Sequence, residues 1–318
     1  MTRRPRILLR PAEPDFGGQE RGSAPRNHPR KSAFICGSFS SCPFAVVLEL
    51  LELLELLPLL PPMDFTGYDK SFGLTDKVSL ITGGAAGIGR AISTLFAEKG
   101  AKLVLADLNP AIAKIAQEIC PDASRVETVT ADLTSTADRE RVVEAAIKRF
   151  GRIDILVNNA GIVLLDDALT LPEEYWDKTM AVNLRAPFFL AQRVAREMVK
   201  TGGGRIVNLA SQAGVIALDK HVAYCAGKAA IISMTKVLAL EWARYNIQTN
   251  AISPTVVLTE LGRKAWAGEV GEAMKKKIPN GRFAYPEEIA ACALFLASDA
   301  AAMINGENLV IDGGYTIQ

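Results

Sequence analysis

Two residues on one stretch of the chain are placed to move a proton together. Tyr224 and Lys228 stand four apart in a segment, 223–245, that reads as one long helix, so their side chains share a face. A free tyrosine titrates near ~10 and is a poor base at neutral pH. An ammonium beside it favours the phenolate and lowers that value. The pair suits proton exchange with a substrate hydroxyl while a nicotinamide takes the hydride. Tyr-x-x-x-Lys by itself is an ordinary pattern on exposed helices, so its weight depends on what else the chain carries.

A second group suits the binding of phosphates. The run Thr82-Gly83-Gly84-Ala85-Ala86-Gly87-Ile88-Gly89 sets Gly83, Gly87 and Gly89 in a G-x-x-x-G-x-G spacing around Ile88. A β-branched run precedes it and an amphipathic run follows. One glycine lets the chain turn sharply, another lets the backbone approach a pyrophosphate, and the last lets the helix sit close on the sheet. The helix start then offers free N–H groups and partial positive charge. Asp107 lies 20 residues beyond Gly87, at the end of the next apolar run. A carboxylate there accepts two hydrogen bonds from a ribose diol and repels a 2′-phosphate. No arginine stands at Ala85 or Ala86, or beside Asp107, to neutralise such a phosphate, so NAD is expected over NADP. A glycine-rich run alone is often only a tight turn, and Asp107 alone could cap a helix before Pro110.

Holding these groups in place requires a scaffold, and the pattern after Met63 supplies one. Strands are expected at 77–81, 103–106, 126–130, 153–157, 205–209, 249–253 and 308–311. Helices are expected at 87–99, 110–118, 137–150 and 223–245. Such alternation means a parallel sheet with helices on both faces, here a single-domain, three-layer α/β fold of the Rossmann-type doubly wound kind. Ligands of such sheets bind outside the carboxyl ends of the strands.

Taken together, these residues resemble the short-chain dehydrogenase/reductase family over nearly everything from about Leu74 to Gln318. The matching motifs stand in family order: the glycine turn, Asp107, Asp132-Leu133, Asn158-Asn159-Ala160-Gly161, Asn183, Ser211, and Tyr224 with Lys228. The resemblance implies that Tyr224 is the general acid/base and that Ser211 holds the substrate oxygen beside it. It implies that Lys228 binds the nicotinamide ribose and tunes Tyr224, and that Asn183 holds a water continuing a relay from Lys228. Asp132 would contact adenine, with Leu133 supplying backbone, and Asn158 to Gly161 would line the cofactor cleft and brace the sheet. The chain departs from the family where Pro-Gly often follows the sixth strand: here Thr255 follows Pro254. That loop is still expected to cover the nicotinamide, with Val257 and Thr259 facing its carboxamide.

For the substrate, Pro-Thr-Val-Val and His221 look like the sugar-alcohol and xylulose-reductase branch of the family. Gln212 and His221 would hydrogen-bond vicinal hydroxyls beside Ser211 and Tyr224, with Val163, Leu164 and a mobile segment, 258–278, completing the pocket. The leading expectation is oxidation of a secondary alcohol on a small polyol, a tetritol, pentitol or hexitol, to the ketose. The alternative is a carbonyl or 3-oxoacyl reductase with a greasier pocket. A cofactor sensor without turnover would usually have lost Tyr224 or Lys228, and both are present.

Composition narrows the classes further. Lys and Arg number 36 against 35 Asp and Glu, with no basic cluster of the kind nucleic acid demands. Two histidines and five cysteines without a C-x-x-C fit neither a zinc site nor a disulfide framework, so a metal-free mechanism is expected. Residues 1–62 differ in character: scattered arginine and proline, then an apolar run from Phe44 to Leu60 interrupted by three glutamates. Glutamates at a span's centre argue against a membrane anchor. A transit peptide is one reading; the favoured one takes Met63 as the real start, with a 63–318 catalytic domain. A cytoplasmic enzyme is then expected. The family resemblance also implies a homotetramer built through the helices carrying Asn183 and Tyr224.

Overall fold

Seven short β-branched runs pair into one sheet. In a computed structural model describing residues 67–318, they are β1 (Val78–Thr82), β2 (Lys102–Asp107), β3 (Val126–Thr130), β4 (Ile155–Asn158), β5 (Gly204–Leu209), β6 (Ile247–Pro254) and β7 (Asn308–Ile311). The expected extension at 1–62 lies outside the described residues. Every pairing is parallel, in the order β3-β2-β1-β4-β5-β6-β7. The progression reverses between β1 and β4, which makes their carboxyl ends the crevice of the sheet.

Both faces of the sheet are covered, and the two-residue period of the strands decides which side chain goes where. Ile81, Leu103, Leu105, Ile155 and Val157 point to one face, packed with helices α1 (Gly87–Glu98), α2 (Ile112–Ile119) and α9 (Pro286–Ala297). Leu80, Val104, Leu156 and Ile206 point to the other, packed with α3 (Thr136–Phe150), α5 (Ala186–Lys200) and α6 (Val222–Trp242). The remaining helices are α4 (Glu173–Met180), which runs through a π turn (Ala181–Arg185) into α5, and the short α7 (Glu260–Ala265) and α8 (Glu269–Lys275). Residues 222–245 are long and apolar enough by composition to cross a membrane, but this helix packs on β6 and carries site residues.

The π turn has a local cause. Pro187 lacks an N–H, so the α-helical bond that residue 187 would give to the Asn183 carbonyl cannot form. The chain widens by one residue there, as π turns do at functional positions.

Candidate active site

The crevice is built by two turns stitched to each other. The Thr82 hydroxyl donates to the Val157 carbonyl and accepts from the amides of Asn159 (3.0 Å) and Ala160 (3.1 Å). The Asn159 side-chain amide donates to the carbonyls of Thr82 and Gly83. These bonds hold the glycine turn after β1 against the Asn159–Gly161 turn after β4. Below them, Asn158 donates to Asn208 at 2.9 Å and Asn208 to Thr235, a buried polar chain from β4 through β5 to α6 that braces the sheet as expected.

Two positions in the glycine turn admit no side chain. A Cβ on Gly89 would lie 2.0 Å from the Gly83 carbonyl oxygen, and Gly87 has φ of 53° with Thr259 only 2.9 Å from its would-be Cβ. Helix α1 begins at Gly87, and no side chain caps its first N–H groups. An uncapped helix start beside a glycine cradle fits a pyrophosphate. Asp107 ends β2, with one carboxylate oxygen accepting from the Ala85 amide and the other from Asn109, each at 2.9 Å. It is not the helix cap that the sequence offered as the alternative, since α2 starts at Ile112 without a side-chain cap; its carboxylate is tied to the glycine turn. Each oxygen keeps a second lone pair for a ribose hydroxyl. Asp132 and Leu133 lie in the turn after β3, where one Asp132 oxygen accepts from the Thr134 amide and hydroxyl.

The groups expected to move a proton meet on the other side of the crevice. Ser211 follows β5, and its hydroxyl accepts from the Ala213 amide and is hydrogen-bonded with Tyr224. The Lys228 ammonium lies 5.6 Å from the centre of the Tyr224 ring and donates to the Leu209 carbonyl at 2.6 Å. A Cβ on Gly161 would stand 3.3 Å from Asn183 Oδ1 and 3.7 Å from Lys228 Nζ, so the β4 turn, the π turn and α6 converge here. Asn183 is buried, and both its side-chain polar atoms are engaged: Oδ1 accepts from the Ile162 amide and Nδ2 donates to the Ile162 carbonyl, each at 2.8 Å. Its side chain thus braces the cleft loop. A water relay from Lys228 would have to use the backbone carbonyl that Pro187 leaves without an α-helical donor.

Electrostatics here differ from the simple expectation that Lys228 lowers the Tyr224 pKa. Burial pushes the Tyr224 phenol above its usual value, against the Ser211 hydrogen bond, which pulls it down. Burial also drives Lys228 down to about 8, because no carboxylate compensates its charge. Desolvation outweighs proximity in both groups: Lys228 holds its proton less tightly than an exposed lysine and Tyr224 holds its own more tightly.

The remaining expected residues are placed unevenly. Pro254 ends β6, and the segment after it pairs back through Val257 and Ala284. The Thr259 oxygen caps α7 by accepting from Gly262 at 3.0 Å, which leaves its O–H and one lone pair for a carboxamide. Gln212 is buried with its Oε1 lacking a hydrogen-bond partner. The His221 ring lies edge-on to Tyr224 at 6.2 Å between centroids, with Nδ1 on the Asp219 carbonyl. A carbonyl only accepts, so Nδ1 carries a proton there and Nε2 is left to meet a ligand. Trp266 packs with Met274, Ile278 and Phe283 in an apolar cluster that ties the 258–278 segment to the residue runs around it. Val163 is exposed and Leu164 half-buried. Sequence reasoning missed Thr82 as the stitch between the turns. Its signal was a hydroxyl at the last strand position before the first glycine. Asn159 was expected to line the cleft and brace the sheet, not to tie the two turns together.

Similarity to known proteins bears on the same residues. A family model described as enoyl-(acyl carrier protein) reductase matches residues 83–316. An NAD-dependent glycerol dehydrogenase of Listeria innocua is 62% identical over 256 residues, covering 80% of this chain and all of that protein. A D-threitol dehydrogenase of Mycolicibacterium smegmatis is 52% identical, covering 79% of this chain and 96% of its own. The crystal structure of a short-chain type dehydrogenase/reductase from Mycobacterium marinum superposes with a TM-score of 0.73 at 35% identity, covering 78% of this chain and 98% of that one.

Proposed function

Because the chain belongs to the short-chain dehydrogenase/reductase family, we propose that it oxidises a secondary alcohol of a small polyol to the ketose with NAD. The observation that carries the substrate reading is Gln212, whose buried Oε1, one residue from Ser211, has no partner among the described residues. An unpaired buried acceptor costs about 1–3 kcal/mol, which a substrate hydroxyl recovers and an apolar substrate does not. The His221 ring offers its Nε2 as a second polar group beside Tyr224. The names of the two bacterial polyol dehydrogenases support the same class.

The residues divide the work. Gly83, Gly87 and Gly89 with the α1 start would hold the pyrophosphate, Asp107 the adenosine ribose, Asp132 and Leu133 the adenine. Asn159 to Gly161, Pro254, Val257 and Thr259 would enclose the nicotinamide end. NAD supplies the hydride acceptor when bound. Ser211 orients the alcohol oxygen, Tyr224 takes its proton, and Lys228 with Asn183 passes that proton outward. The reaction is reversible, since the same tyrosine returns the proton to a ketone.

The reading includes a homotetramer in the cytoplasm. Phe189, Val237 and Leu240, exposed on α5 and α6, support further burial of those helices. The free thiols of Cys120, Cys225 and Cys292 suit a reducing compartment.

The test is NADH formation across a polyol panel, with NAD and with NADP, beside Tyr224→Phe. Activity on a polyol with NAD, absent in the variant, is the expected result. Silence on every polyol with reduction of ketoacyl compounds would overturn the substrate reading and leave the proton chemistry standing.

A further inference from the structure

Arg139 sits where a cation is least welcome. It is 4% exposed, in the first turn and a half of α3, where the helix dipole disfavours positive charge. Among the described residues no carboxylate bonds to it. The neighbouring Glu140 is bonded by Arg193 at 2.7 Å. Its guanidinium shares the Phe189 ring with a second cation: Arg139 Cζ lies 5.7 Å and Arg185 Cζ 5.3 Å from the ring centre. Burial, and then the Arg185 charge, pushes the guanidinium below its ordinary value. A buried ion without a counter-ion is commonly matched or bettered by an apolar residue of similar size. What an apolar residue could not do is donate hydrogen bonds.

Those bonds go to one place. Nη1 donates to the carbonyls of Leu133 (2.6 Å) and Thr134 (2.9 Å), and Nη2 to the Thr136 hydroxyl (2.8 Å). The rest of the turn is held as completely. The Asp132 amide donates to Asp138, the Asp132 carbonyl accepts from the Ser135 amide, and the Thr134 amide donates to the Asp132 carboxylate. Of the backbone groups at 132–134, only the Leu133 N–H has no partner among the described residues. Of the Asp132 carboxylate oxygens, only Oδ2 accepts nothing there. These are the one donor and the one acceptor that the turn's own bonding leaves available to a ligand. The Leu133 side chain helps line a cavity of about 20 Å³ with Thr82, Asn158, Ala160 and Val182, which seats the turn on the crevice and the π turn.

We propose that Arg139 is a positioning residue for the adenine end of the cofactor: by clamping the Leu133 and Thr134 carbonyls it presents the Leu133 N–H and the open Asp132 oxygen to the base. This rests on the reading that the crevice binds NAD with its adenine at this turn. Arg185, which reaches the Thr134 carbonyl at 3.4 Å from the end of the π turn, is a weaker second clamp.

The experiment compares Arg139→Met, which keeps the bulk and removes the donors, with Arg139→Lys, which restores donors. Arg193→Gln is the control; it breaks the α3–α5 ion pair without touching the turn. Calorimetric Kd for ADP-ribose, inhibition by nicotinamide mononucleotide, KM for NAD, kcat and the melting temperature of the cofactor-free protein are measured. In R139M, ADP-ribose Kd and NAD KM are expected to rise together by about tenfold or more. Nicotinamide mononucleotide inhibition and kcat at saturating NAD are expected to stay within about twofold. R139K is expected to recover most of the loss, and R193Q to lower the melting temperature alone. Unchanged ADP-ribose binding in R139M, or equal weakening of both fragments with loss of kcat, overturns the proposal. If R139M does not fold, R139K decides: it must show a smaller rise in KM at unchanged kcat, and a melting loss without that rise overturns the proposal. Wild-type protein that binds ADP-ribose but not adenine-dependently (ribose 5-phosphate competing as well) would instead remove the cofactor placement on which the proposal stands.

Discussion

The two sides of the crevice are made by different means. On the side proposed to hold the nucleotide, the groups on offer are backbone N–H donors, glycines and one carboxylate already tied to the glycine turn through Ala85. On the side proposed to carry the proton chemistry they are side chains pulled out of water, with Tyr224 pushed up and Lys228 down to about 8. The first side works by excluding atoms: a Cβ on Gly89 would meet the Gly83 carbonyl. The second works by burying charge that has no counter-ion. Steric sites fail abruptly when filled, whereas desolvated sites respond to pH.

The largest effect that would sharpen this contrast is Tyr224→Phe. Removing the proton carrier is expected to lower kcat by about 10³-fold or more, within the range of general acid/base catalysis. NAD affinity is expected to hold within a few-fold by fluorescence titration. A variant retaining substantial kcat would dissolve the distinction, because the chemistry would not run through the buried phenol.

On the steric side, Gly89→Ala is expected to weaken NAD binding by about 100-fold, since small misplacement of a binding group is costly. Titration with NADH measures it. A variant that binds normally would mean that the turn yields where the geometry says it cannot.

The third test separates the sides by pH. Lys228 has a folded pKa lowered to about 8 from an ordinary 10.5. Between those values the unfolded chain binds more protons than the folded one, so stability rises with pH across this window. Wild-type stability is expected to gain about 2 kcal/mol from pH 8 to 10 relative to Lys228→Met. Tyr224, raised above its ordinary value, acts oppositely, and only above about pH 10. Urea unfolding at a series of pH values reads the difference. Parallel curves for the two proteins would show that Lys228 is not desolvated.

The smallest expected effect is Asp107→Ser. Loss of the carboxylate is expected to raise the NAD KM by about tenfold and to lower the preference over NADP by a similar factor, since charged hydrogen bonds carry about 1.5–3 kcal/mol. Steady-state kinetics with both cofactors measure it. Unchanged preference would move cofactor choice away from the end of β2.

Much of the scaffold was legible before the structure because its signals are local. Strands β3 and β7 fall where their β-branched runs predict, and β2 ends on Asp107 as expected. The helix α9 was not assigned from sequence: it is apolar nearly all round because it packs on both α1 and the sheet, which erases the stripe that marks a surface helix. The α4–π–α5 stretch, where only the resemblance implied a helix carrying Asn183, was not assigned from periodicity for a different reason. Pro187 reads as a breaker, yet here it only widens one turn.

By itself the sequence determined the parallel sheet, the glycine cradle, Asp107 at a strand end and a tyrosine four residues from a lysine, since period, steric exclusion and helical spacing act between near neighbours. The tertiary structure alone decided the sign of the Tyr224 shift, the engagement of both Asn183 polar atoms by Ile162, the cap made by Thr259 and the clamp made by Arg139. Each of these depends on which groups share a small volume away from water. Desolvation and hydrogen-bond satisfaction are properties of that volume, which residues distant in the chain come together to define.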